Sequence, residues 1–198
     1  MELYGIFWER ALLREEETAL FVSLPPQWRG RLEQTRDTSR RKERLVAYSL
    51  LALALRESRG LSALPDIAAG KNGKPFFPDR PEICFSISHT KGGALVGLHD
   101  GPIGVDVEHL RPIGKRTMER LGKGMTEEEF LRVWVRREAR AKRSGAGLAE
   151  AMGREPDMET GEHYREISVP EGFFAGVSFE GEDRDAVLFR RKIEDLIP

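Results

Sequence analysis

Between residues 82 and 110 the chain runs through three strand-length segments with almost nothing between them. EICFSISHT (82–90), ALVGLHD (94–100) and PIGVDVEHL (102–110) are separated only by short glycine-bearing turns. Alternation of period two makes a strand with two unlike faces, and connections this short leave no room for a crossover helix. The stretch predicts an antiparallel meander of three strands.

The flanking sequence supplies the other elements. LYGIFWERAL (3–12) mixes aromatic and β-branched residues and reads as a first strand, with a turn at Pro25 and Pro26 after it. Residues 36–60 have helical spacing, with Leu45, Tyr48, Leu51, Ala52 and Leu55 three and four apart. Asp37, Thr38 and Ser39 offer caps for its start and Gly60 a stop. A second helix is expected from Thr126, where TEEE supplies a capping box, to about Gly145. REISVP, FFAGVSF and DAVLFRR close the chain as further strands. This order predicts an α+β protein of two similar halves related by a pseudo-two-fold, each a small sheet packed with a long helix. The halves are residues 1–102 and 103–198.

Charge is nearly balanced, 32 basic against 33 acidic residues for a net −1, which gives no global argument for nucleic acid or membrane binding. One cysteine, Cys84, excludes an internal disulfide and makes a reducing, cytoplasmic home the expectation. The charged start of the chain does not read as a signal peptide, and no apolar run approaches spanning length.

Chemistry concentrates in a few places. In GVDVEHLRP (104–112), Asp106 and Glu108 share one strand face while Val105 and Val107 take the other. Such a pair is either a solvated acidic face or two hard oxygen ligands for a divalent cation, most naturally Mg²⁺. In WVRREARAK (134–142), Trp134, Glu138 and Lys142 are four apart along one helical stripe, so Glu138 is a candidate third acid; a surface Glu–Lys pair is the plainer reading. In FSISHT (85–90), Phe85, Ile87 and His89 share one face and Ser86, Ser88 and Thr90 the other. Ser88 and His89 therefore diverge, which argues against a nucleophile–base pair. Lys74 in GKP (73–75) is not a P-loop lysine but suits an anion, as do Arg36, Arg40, Arg41, Lys42 and Arg44 at the start of the first helix.

Taken in order, GKPFF (73–77), FSISHT (85–90), IGVDVEHLRP (103–112) and WVRREARAKRSGAGL (134–148) resemble the motif series of the 4′-phosphopantetheinyl transferases, in particular the monomeric, two-half, surfactin-synthetase-activating type. The resemblance implies transfer of the phosphopantetheine arm of coenzyme A to a serine of an apo acyl or peptidyl carrier protein, with release of 3′,5′-ADP. Fatty-acid, polyketide and nonribosomal peptide carriers are all open. It implies Mg²⁺, or Mn²⁺ in its place, on Asp106, Glu108 and Glu138. It makes Glu138 the candidate base, Lys142 the group that stabilises the breaking phosphate, and Arg44, Lys74, Pro75, Ser88 and His89 the coenzyme contacts. The chain departs from the family pattern at Arg137, where a lysine is usual, and in the short 109–133 segment, which is basic through Arg111, Lys115, Arg116, Arg120 and Lys123. Two other readings remain at this level: an inactive coenzyme- or carrier-binding module, and a Mg²⁺-dependent nuclease. Leu110 stands where such nucleases commonly carry a lysine, and a neutral chain suits a polyanion poorly.

Overall fold

The computed structural model describes residues 1–153, 157–183 and 185–197. The protein is of mixed α+β class. Its elements run β1 (Glu2–Phe7), α1 (Arg14–Ser23), α2 (Pro26–Glu33), α3 (Thr38–Arg59), β2 (Ala68–Ala69), β3 (Pro75–Phe76), β4 (Cys84–Thr90), β5 (Gly93–His99) and β6 (Ile103–His109). Then follow α4 (Lys115–Leu121), α5 (Glu127–Ser144), α6 (Leu148–Ala151), β7 (Glu162–Ile167), β8 (Phe173–Glu180) and β9 (Val187–Arg191).

The two long helices form where their caps place them. The Asp37 carboxylate accepts from the Arg40 amide at 2.9 Å, and Gly60 closes α3 at a left-handed φ of 66°. Thr126 and Glu129 form the reciprocal capping box of α5, and Gly145 ends it at φ 72°. Residues 13–33, read from sequence as little more than a turn, instead hold two short helices. Proline at the first position starts α2. Buried Trp28 then ties it down, stacking edge-on against Tyr48 and donating its indole N–H to the Pro65 carbonyl at 3.1 Å.

The meander expectation holds for two strands and fails for the third. One sheet has the order β4-β5-β1-β9, with β1 antiparallel to β5 and parallel to β9. β6 does not join β5; it pairs with β8 in a second sheet, β6-β8-β7. The reason is burial on both faces of β5. Ala94, Val96 and Leu98 pack toward α3, while Leu95 packs with Ile103, Val105, Val107, Val177 and Phe179 of the second sheet. Gly97 leaves the space that Val105 and Ile103 fill. Stacking β6 over the first sheet buries its apolar face, which pairing beside β5 would leave half exposed.

Side chains, rather than a backbone ladder, join β4 to β6. Ser86 Oγ accepts from the Val105 amide at 3.0 Å, Ser88 Oγ donates to Asp106 at 2.7 Å, and Thr90 Oγ1 accepts from the His109 amide at 3.4 Å. On the other side of the second sheet α5 lies against β6, and the approach is close enough to require glycine. A Cβ on Gly104 would stand 2.0 Å from the Ala139 carbonyl oxygen and 2.3 Å from the Arg143 amide.

α5 also buries charge on its far side. Arg140 grips Glu162 in a fork of 2.6 and 3.0 Å bonds, and Glu162 further accepts from Ser178 at 3.1 Å and from the Glu159 amide at 3.0 Å. All three of Arg140, Glu162 and Ser178 are buried. Replacing Glu162 by alanine would remove the buried carboxylate that Arg140 and Arg143 share. That change is expected to cost about 3–5 kcal/mol in chemical denaturation; a loss below 1 kcal/mol would show that the network contributes little.

Candidate active site

Period two on β6 sends Gly104, Asp106 and Glu108 toward α5, and the i,i+4 stripe on α5 sends Glu138 and Lys142 toward β6. The two meet. The Lys142 ammonium lies 2.7 Å from Asp106 Oδ1, 2.9 Å from Ser88 Oγ and 3.6 Å from Glu138 Oε2. Ser88 thus bonds both Asp106 and Lys142, and the other Asp106 oxygen, Oδ2, is buried with no hydrogen-bond partner among the described residues. Trp134, at the start of the stripe, is half-buried and stacks on Phe130.

The acids feel one another. Burial first, then the charge of Asp106, push the Glu138 carboxyl up to about 6. Burial and Asp106 likewise raise Glu108, whose carboxylate is turned toward Arg111 at 3.4 Å. Burial alone would depress the Lys142 ammonium, but Asp106 and Glu138 beside it raise it above its ordinary value. Among the described residues no three His, Cys, Asp or Glu side chains form a ready-made metal cage. Asp106 and Glu138 instead share an ammonium, with Glu108 beside them. The donor set nevertheless fits a divalent cation: hard oxygens, mutual repulsion, and a buried carboxylate oxygen with no hydrogen-bond partner among the described residues.

A cavity lined by Glu138 and Lys142 adjoins this cluster, and a second cavity adjoins the first. One, of about 420 Å³, is lined by Lys74, Pro75, Ser86, Ile87, Glu138 and Lys142, with Gly145 and Gly147 beyond. The other, of about 460 Å³, is lined by Trp28, Arg31, Arg40, Arg44, Tyr48 and His89. They share Gly73, Pro75 and Ile87, so Pro75 sits at the wall between them. The basic cluster at the start of α3 divides here by helical geometry. Arg40 and Arg44, four apart, face the second cavity, whereas Lys42 pairs with Glu17 at 2.8 Å on another face. Arg44 is held by Thr35 at 2.7 Å and the Tyr48 hydroxyl at 2.6 Å, with its guanidinium over the Tyr48 ring.

His89 points away from Ser88, as the alternation requires, and its Nδ1 faces Glu43 at 3.3 Å. Burial, then the charges of Lys142, Arg44 and Arg40, lower its pKa to about 4. The folded protein therefore holds His89 neutral where an unfolded chain would begin to protonate it near 6.5. Stability from this source is fully present above pH 6.5 and is lost as pH falls toward about 4. Melting scans across that window should show a steeper acid loss in the wild type than in His89→Gln; parallel curves would remove His89 from the effect.

Lys74 is engaged differently from a free anion-binding lysine. Its ammonium donates to the carbonyls of Arg143 at 2.6 Å and Ile103 at 3.3 Å, and burial lowers its pKa. Next to it Asn72, at a left-handed φ of 57°, donates to the Gly145 and Ala146 carbonyls at 3.0 and 3.2 Å. The loop of residues 70–75 thereby satisfies carbonyls at the end of α5. Sequence reasoning did not single out Asn72, Arg31, Thr35, or the buried pair Arg140 and Glu162. A tolerated left-handed asparagine between glycines was the available signal for the first; the others carry none.

No family profile matches the chain. It is 32% identical over 166 residues to the 4′-phosphopantetheinyl transferase ffp of Bacillus subtilis, covering 75% of this chain and 72% of that protein. It is 31% identical over 151 residues to the 4′-phosphopantetheinyl transferase AcpT of Escherichia coli (strain K12), covering 69% and 73%. Against the 4′-phosphopantetheinyl transferase Sfp of Bacillus subtilis (strain 168) the identity is 26% over 163 residues, covering 75% and 72%. With two such relatives above 30% identity, each matched over more than two-thirds of both chains, the four ordered motifs and the meeting of Asp106, Glu138 and Lys142 have a single account: the protein belongs to the 4′-phosphopantetheinyl transferases.

Proposed function

We propose that this enzyme moves the phosphopantetheine arm of coenzyme A to the serine hydroxyl of an apo acyl or peptidyl carrier protein. The serine oxygen forms a new bond to the phosphorus next to pantetheine, the pyrophosphate P–O bond breaks, and 3′,5′-ADP leaves. The observation that carries the reading is the meeting of Asp106, Glu138, Lys142 and Ser88 beside a cavity that Glu138 and Lys142 line, with the Arg44 and His89 cavity sharing its Pro75 wall.

Each residue then has a part. Asp106, Glu108 and Glu138 would hold Mg²⁺, or Mn²⁺ in its place, whose chemistry when bound is to neutralise charge on the pyrophosphate. Glu138 would take the serine proton directly or through a water. Lys142 would stabilise charge on the phosphate oxygen that leaves with 3′,5′-ADP, the main task in a phosphoryl transfer. Arg44 and His89, with Arg31 and Arg40, suit the coenzyme's remaining phosphate in the second cavity, and Pro75 the adenine side. Ser88 orients Asp106, and Lys74 holds the end of α5 beneath the coenzyme.

The carrier would approach over α4. Ile113, Met118 and Leu121 pack against Phe130 and Trp134, while Lys115, Arg116 and Arg120 face solvent. A short basic face of this kind suits an acidic carrier helix. In architecture we read the chain as two halves, residues 1–102 and 103–198, related by a pseudo-two-fold, with β9 crossing to pair with β1. Incubation with coenzyme A, Mg²⁺ and a panel of apo-carriers tests the whole reading. Mass spectrometry is expected to find the added arm on at least one carrier; coenzyme binding with no product on any of them would favour a binding module instead.

A further inference from the structure

We propose that in the coenzyme-free protein the Lys142 ammonium occupies the place of the divalent cation on Asp106, so that cation and coenzyme load together. The inference rests on Asp106 and Glu138 being cation ligands, as read above.

Lys142 donates hydrogen bonds to Asp106 Oδ1 at 2.7 Å and Ser88 Oγ at 2.9 Å, and its ammonium pairs with Glu138 Oε2 at 3.6 Å. Two of these belong to the carboxylates that a cation would need. A divalent ion cannot share them with an ammonium a few ångströms away without strong like-charge repulsion. The only Asp106 oxygen left over, Oδ2, is buried and has no partner among the described residues, so the lysine answers the site's charge without filling its coordination.

The lysine also has somewhere to go. Its side chain is 30% exposed and lines the 420 Å³ cavity, while the backbone that carries it is held by the Lys74 and Asn72 bonds to the end of α5. The side chain can therefore swing while the helix stays. A pyrophosphate entering the cavity offers the ammonium new anionic oxygens and releases Asp106 for the cation. Cation and coenzyme then raise each other's affinity by the same factor. This coupling comes on top of any direct contact between the ion and the phosphates.

Titration of the full chain with Mn²⁺, following free ion by electron paramagnetic resonance, tests this without any turnover. Without coenzyme the wild type should bind Mn²⁺ weakly. Lys142→Met, which keeps bulk but not charge, should bind it at least about tenfold tighter, and coenzyme should tighten it less than it tightens the wild type. Lys142→Arg keeps the charge and should remain as weak as the wild type. Folded Lys142→Met with unchanged or weaker Mn²⁺ affinity overturns the proposal, as does an arginine variant that tightens like the methionine one. If circular dichroism shows Lys142→Met unfolded, Lys142→Gln carries the same comparison. Adding Asp106→Asn to the tighter variant should abolish the gain; a persistent gain would place the ion elsewhere and overturn the proposal. Absence of Mn²⁺ binding in every variant, with and without coenzyme, would instead remove the cation assignment itself.

Discussion

Glu138→Gln is expected to lower kcat by about 10²–10⁴-fold, the usual worth of a positioned general base. Glutamine keeps the volume and one acceptor oxygen but can neither take the serine proton nor supply a negative ligand. Glu138 is only half-buried and, among the described residues, its charged partner is Lys142 at 3.6 Å, so little of the fold rests on it. Melting temperature, and coenzyme binding measured without a divalent cation, should therefore stay near the wild type while single-turnover transfer collapses. Wild-type turnover in a folded Glu138→Gln would remove it from both proposed roles.

Gly104→Ala should be nearly as severe by a different route. The added methyl would meet the Ala139 carbonyl at 2.0 Å and the Arg143 amide at 2.3 Å, both backbone atoms that cannot turn aside. Overpacking of this kind typically costs about 1–3 kcal/mol, and more where backbone must move. To relieve it α5 must lift from β6, carrying Glu138 and Lys142 away from Asp106. A displacement of about 1 Å at a reacting centre can cost about 10²-fold in rate. The variant is expected to melt lower and to lose kcat together, whereas Glu138→Gln loses kcat alone. A Gly104→Ala protein with unchanged melting and turnover would contradict the close approach.

These two predictions differ in how far the sequence alone could have reached them. That Asp106 and Glu108 share a face with Gly104 follows from the strand period, and that Glu138 follows Trp134 and precedes Lys142 on one stripe follows from the helix period. The ends of α3 and α5 were legible because their caps are local chemistry: Asp37 and Gly60, Thr126 with Glu129, and Gly145. α1 and α2 were not, because REEETALFVS and PQWRGRLE are mostly polar and are held by a few buried residues such as Leu20 and Trp28. The third strand of the supposed meander was misplaced for a related reason. Alternation shows that Ile103, Val105 and Val107 need covering; it does not say whether β5 lies beside them or beneath them.

Lys74 and Ser88 make the same point at the scale of single residues. Their motifs suggest coenzyme contacts, but the ammonium of one is engaged by the Arg143 and Ile103 carbonyls and the hydroxyl of the other by Asp106 and Lys142. Arg140 and Glu162 sit among surface-like charges in the chain and form a buried pair in the fold.

By itself, then, the sequence determined which way each side chain points around its own strand or helix, since that depends only on periods of two and 3.6 and on local caps. Only the tertiary structure decided what each face meets. The Gly104 face of β6 is pressed on α5, its apolar face is stacked on β5, and its free edge is tied to the hydroxyls of β4. Those pairings are chosen by burial summed over residues far apart in the chain, and no local window contains that sum.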